Sequence, residues 1–137
     1  MKLTPYLLFN GNAEEVLTFY KEALGGEVVM LSRYADSPMP VEESYKQKIM
    51  HARLSFAGNL LMISDAYNSG QVQGNNISLS IEVPDKQQLE TIFSKMAAGG
   101  KITMPLQDQF WGATFGMLED QFGIHWMFNH EHAAAAK

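Results

Sequence analysis

Two amphipathic segments, each closed by a Gly-Gly pair, lie 74 residues apart, ending at Gly25-Gly26 and Gly99-Gly100. In the first, Val16, Leu17, Tyr20, Ala23 and Leu24 fall on one face of a helix. In the second, Leu89, Ile92, Phe93, Met96 and Ala97 do the same. Asn12, with Glu15 three residues on, has the spacing of a helix cap, and so does Asp85 with Gln88. Gly takes the left-handed conformation that ends a helix at little cost. Superposing the Gly-Gly pairs brings Phe19 onto Phe93, Lys21 onto Lys95, Ala23 onto Ala97, Val28 onto Ile102 and Met30 onto Met104. Further along the offset is 65, with Gly58 on Gly123 and Met62 on Met127. A longer loop in the first unit, Ala35 to Lys46, absorbs the difference. The chain therefore reads as an internal repeat.

The segments around each helix alternate or form short apolar runs bounded by turn residues, the signature of strands. Leu3 to Phe9 precedes the first helix. Glu27 to Tyr34, Lys48 to Phe56 and Leu60 to Asp65 follow it, with a hairpin about Ala57-Gly58-Asn59. Asn76 to Val83 alternates strictly, with Ile77, Leu79, Ile81 and Val83 on one side. Ile102 to Leu106, Ala113 to Leu118 and Ile124 to Phe128 complete the second unit. The expected architecture is α+β: two βαβββ modules whose curved mixed sheets carry helices on their outer faces. Module 1 spans 1–66, a linker 67–75 and module 2 76–129, followed by a polar, Ala-rich tail at 130–137. The inner faces of such paired sheets are expected to form a cleft, a usual place for a small ligand.

Composition narrows the function classes. Hydrophobic residues make up 46% of 137, enough for a packed core. A net charge of −5 argues against a nucleic-acid surface, which needs clustered Lys and Arg. No run has the length of a membrane span. The absence of cysteine excludes disulfides, zinc–thiolate sites and a Cys nucleophile. Cytoplasm is the expected location.

The fragments YLLFNGNAEEVLTFYKEALGG, MHARL, LLMISDA, GGKITMPL, FWG and DQFGIHWMFN, taken in order, resemble the PhnB-like family. That family belongs to the vicinal oxygen chelate superfamily, with the glyoxalase I, bleomycin-resistance and extradiol dioxygenase proteins. The resemblance covers Leu3 to Asn129 and implies paired βαβββ modules and a homodimer. Superfamily members often hold a divalent metal on the first and last strands of each module, through His, Glu or Gln. The resemblance puts those positions at Pro5, Met62, Asn76 and Met127. None offers imidazole or carboxylate, so no metal or other cofactor is expected. The group has also carried names from phosphonate metabolism and ubiquinone methyl transfer. No Gly-rich strand-to-helix turn of a nucleotide or S-adenosylmethionine fold is present.

Candidate site residues follow from strand alternation. His51, Arg53 and Ser55 should share the face opposite Met50, Ala52, Leu54 and Phe56. His51 there is a candidate acid or base near neutral pH. His125, with Met127 and Asn129, alternates against Ile124, Trp126 and Phe128 and is a second candidate. Asp65 is a possible base or a cap for its loop. Trp111 is either a stacking wall for a planar ligand or a core aromatic. Arg53 and Arg33 could grip an anion through paired bonds, or serve as surface charges. Met62, Asn76, Trp111, Met127 and Arg53 are the expected lining of the cleft. His130-Glu131-His132 reads as the start of a fraying tail. The leading expectation is a metal-free protein that binds a small organic ligand. The alternative is a metal-dependent lyase, isomerase or dioxygenase with a site shifted to His51 or His125.

Overall fold

A computed structural model describes residues 1–66 and 71–132. The chain divides into two compact units, 1–72 and 73–137. Part of the expected linker, 67–70, and the last five residues of the expected tail lie outside the described residues.

In the first unit, β1 (Tyr6–Phe9) leads into α1 (Ala13–Leu24), followed by β2 (Glu27–Arg33), β3 (Ile49–Phe56) and β4 (Asn59–Asp65). The sheet order is β1-β4-β3-β2, with β1 parallel to β4 and the other pairs antiparallel. The second unit repeats this with β5 (Ser78–Glu82), α2 (Lys86–Ala97), β6 (Lys101–Gln109), β7 (Ala113–Glu119) and β8 (His125–Glu131). Its order is β5-β8-β7-β6, again with one parallel pair. Both units are therefore βαβββ modules, and the chain is α+β. No helix among the described residues is long and apolar enough to cross a membrane.

α1 buries the whole stripe its periodicity marks, and α2 buries three of its five, with Ile92 and Ala97 only half-buried. Val16, Leu17, Tyr20, Ala23 and Leu24 of α1 pack over β3 and β4, where Ala52, Leu54, Leu61 and Ile63 are buried. Leu89, Phe93 and Met96 of α2 pack over β7 and β8. There Phe93 meets Phe128 edge-on at 5.4 Å. Burying each large apolar side chain contributes about 1.5–3 kcal/mol. Gly25, at φ 70°, ends α1 in the left-handed conformation, and Gly26 donates to the Lys21 carbonyl at 2.9 Å. Ala57 and Gly58, both at positive φ, make the two-residue turn between β3 and β4.

The structure moves several expected boundaries. Asn12 makes no side-chain cap. The N–H groups of Gly11 and Ala13 instead donate to Oδ1 of Asp65, each at 2.9 Å, and that of Ile49 donates to Oδ2 at 2.9 Å. Asp65 is 1% exposed at the end of β4, so a carboxylate from a distant strand fills the start of α1. Asp85 caps α2 as expected, accepting from Gln88 N at 2.8 Å. Ile77 precedes β5 and is exposed rather than part of an inward alternation. The long loop after β2 contains two short 3-10 turns, Tyr34–Asp36 and Glu43–Tyr45. It is pinned where Tyr34 Oη donates to the Asp65 carbonyl and Tyr45 Oη to that of Ala66. His130 and Glu131 are not tail, because β8 runs through both. The His132 backbone N–H donates to the Gly112 carbonyl, and its ring bonds the Thr114 hydroxyl at 2.9 Å. Thr114 also donates to Asp108. That bond and the charge of Lys86 hold the Asp108 carboxyl below its ordinary range.

Candidate functional site

The face of the first sheet turned away from α1 carries the polar groups for which the core has no use. Parallel pairing sets Tyr6 beside Met62, and antiparallel pairing sets Arg53 on the other side of Met62. His51 lies opposite Ser32, and Met30 opposite Arg53. Paired residues point to the same side of a sheet, so these side chains share one face with Leu8. The alternation read from sequence holds from Ala52 to Phe56 and slips at Ile49. A register shift between Ser32 and Arg33 there puts Ile49 in the core.

Tyr6, His51 and Arg53 are joined. Arg53 Nε lies 3.1 Å from His51 Nε2, and Tyr6 Oη lies 2.8 Å from His51 Nδ1. Arg53 Nε always carries a hydrogen, so Nε2 accepts. A neutral ring then keeps its proton on Nδ1 and donates it to the Tyr6 oxygen. Burial, and next the charge of Arg53, lower the pKa of His51, which favours that neutral ring. Both ring nitrogens are thereby engaged. Tyr6 was not singled out in the sequence; the signal was its place opposite Leu7 and Phe9 in a short alternating strand.

Arg33 and Asp65 belong to the scaffold. Arg33 forms a two-point pair with Glu14 at 2.8 and 2.9 Å and also donates to the Gln47 carbonyl. Glu14 is held below its ordinary pKa chiefly by that bond. Asp65 spends both carboxylate oxygens on backbone N–H groups, the role of a cap.

The second sheet presents a different set on the corresponding face. His125 opens β8 between Ser78 and Glu119 in register, and Asn129 donates to Glu82 at 3.1 Å. Met127 pairs with Met117, which pairs with Met104, a row of thioethers across three strands. Trp111 sits in the β6–β7 turn, exposed, and meets Phe110 and Phe115 edge-on at 5.1 and 6.1 Å. Its exposure removes the core-aromatic reading. Asn76 is exposed ahead of β5.

Two of the four positions implied by the resemblance lie outside the strands. Pro5 and Asn76 both precede their strands. The strand residues beside Met62 and Met127 are Tyr6 and Ser80, which are 74 residues apart like the two helices. Phenol, hydroxyl and two thioethers are as poor a set for a hard divalent cation as the original four. Among the described residues, no group of three or more His, Asp or Glu side chains is placed to hold a metal. The residues present do not fit the metal site of the superfamily.

A family model described as 3-demethylubiquinone-9 3-methyltransferase matches residues 1–128. A PhnB protein from Bacillus cereus is 30% identical, with a TM-score of 0.76, over 95% of this chain and 99% of its own. The chain belongs to this PhnB-like family. Protein PA1353 from Pseudomonas aeruginosa is similar to the PhnB-like chain at 40% identity and a TM-score of 0.88, covering 96% and 98% of the two chains. A glyoxylase/bleomycin resistance protein/dioxygenase domain from Frankia shares the fold, with a TM-score of 0.70 at 14% identity over 97% and 93%. The PhnB-like chain thus has the vicinal oxygen chelate fold.

Proposed function

We propose that this PhnB-like chain binds a small organic ligand, without a metal ion, on the open face of its first sheet. The hydrogen-bonded set Tyr6–His51–Arg53, beside Leu8, Met30 and Met62, carries this reading. Polar groups on a sheet face flanked by apolar side chains are the composition of a ligand seat. The methyltransferase name of the family gains no support from the β1–α1 turn. The N–H groups at the start of α1, where nucleotide folds bind phosphate, are filled by Asp65. A homodimer is part of the proposal, supported by exposed Val29 and Leu31 on the edge strand β2. Light scattering at micromolar concentration should give twice 15.3 kDa.

The 2.8 Å contact between Tyr6 and His51 favours a second reading, an acid–base enzyme in which the imidazole moves a proton through the phenol. A metal-dependent lyase, isomerase or dioxygenase would require His51 to release Arg53 first, since Nε2 is already accepting a bond.

The test is calorimetry on chelator-treated protein ending at His132, with divalent metals and with a panel of small aromatic and aliphatic acids and amides. Ligand binding that survives chelation is expected. Stoichiometric micromolar binding of Zn²⁺, Ni²⁺ or Mn²⁺ that disappears in His51→Ala would overturn the metal-free reading.

A further inference from the structure

We infer that Arg53 and Tyr6 form an oxyanion seat, which takes the carboxylate or phosphonate of a compact organic acid; this rests on reading that sheet face as the ligand face. The chain has two arginines. Arg33 spends both terminal nitrogens, on Glu14 and the Gln47 carbonyl. Arg53 spends only Nε, on His51, and has no ion pair among the described residues. Glu27 lies in register with Ser55 two residues on and is not paired with it. Two N–H₂ groups with a permanent charge are therefore presented on a sheet face without a countercharge. A guanidinium fork matches the two oxygens of a carboxylate or phosphonate.

Tyr6 supplies a second donor. Its oxygen accepts from His51, so its own hydrogen is free to point outward. Tyr6 and Arg53 flank Met62 in one row across β1, β4 and β3, so both donors border the same thioether. His51 sets the arrangement: its Nε2 orients the guanidinium through Nε, and its Nδ1–H turns the phenol hydrogen away from the ring. His51 is thus a positioning residue. Met62, Met30 and Leu8 offer apolar and polarizable contacts to the body of the acid.

The probes are benzoate, phenylphosphonate and the neutral isostere benzamide, each titrated calorimetrically into the chelator-treated dimer or monomer as it occurs at neutral pH. At least one anion should bind about tenfold or more tightly than benzamide, and the better of the two identifies the head group. Arg53→Gln should remove that advantage and leave benzamide unchanged, and Arg53→Lys should restore only part, since a point charge lacks the fork. Tyr6→Phe should weaken the anion by a smaller factor. Near-UV circular dichroism identifies any variant that has lost its packing. Equal binding of anion and amide, or an anion affinity unmoved by Arg53→Gln in a folded variant, ends the oxyanion inference and leaves the ligand reading standing. No binding of either anion up to 10 mM, roughly −2.7 kcal/mol, also ends the oxyanion inference, and the ligand reading then stands or falls on the wider panel.

Discussion

The indole Nε1 of Trp126 donates to Oδ2 of Asp120 at 2.9 Å, with both residues almost wholly buried. The other oxygen, Oδ1, accepts from the N–H groups of Phe122 and Ile124. One carboxylate thus closes the turn between β7 and β8 and anchors the largest side chain of the second core.

Replacing Asp120 by Ala removes the acceptor of three hydrogen bonds, one buried and two part-buried, each contributing about 1 kcal/mol or more. The expected loss of stability is roughly 3 kcal/mol or more, read as a lower urea midpoint with an unchanged slope. Trp126→Phe leaves the two backbone bonds in place and should be the milder variant in its polar effect, with a further cost from lost volume.

Asp65→Asn separates capping from catalysis. The amide keeps one acceptor oxygen and turns N–H₂ toward a backbone N–H that now bonds a carboxylate. We expect a loss of about 2 kcal/mol and faster amide exchange at Gly11 and Ala13, with ligand affinity unchanged where the variant is folded. Loss of binding without loss of stability would make Asp65 a site residue.

Gly116 has no room for a methyl group. A Cβ there would lie 2.9 Å from Leu106 Cδ2 and 3.0 Å from Phe93 Cε1, beneath α2. Gly116→Ala should cost about 1–3 kcal/mol by overpacking. Thermal unfolding against wild type measures it.

His51 titrates below its ordinary value because it is partly buried and, to a lesser degree, because it faces the charge of Arg53. Above the unfolded-state pKa the ring is neutral in both states and its shift has no effect on stability. As pH falls below that value the unfolded chain takes up the proton first, so stability declines until the folded value is passed. An NMR titration should show Arg53→Gln raising the His51 pKa only part of the way, since burial remains. Full return to the ordinary value would mean that charge, not burial, dominates.

The helix faces and the glycine stop of α1 were legible because periodicity and capping are local, whereas α2 ends at Ala98 in extended backbone, one residue ahead of Gly99. Leu17, Tyr20, Leu89 and Phe93 are buried as their spacing implies. The cap of α1 was not legible: Asn12 had the right chemistry next door, but Asp65, 52 residues away, has the better geometry. Likewise, nothing in HEH announces that β8 continues, since the bond from His132 to Gly112 exists only once the hairpin is folded. His51 and Arg53 were visible as one face of a strand. Their link to Tyr6 depends on β1 lying two strands away, across β4, and topology supplied it.

The period of two that puts Ala52, Leu54 and Ile63 in the core puts His51, Arg53 and Met62 on the other side of the same strands. Folding is written on one set of positions and recognition on the interleaved set. A combinatorial library varied at residues 6, 51 and 53 should therefore yield mostly folded proteins with altered ligand preference. The same diversity placed one residue along, at 52, 54 or 63, should yield few. Such a scaffold lets selection rewrite what is recognised while leaving the instructions for folding untouched.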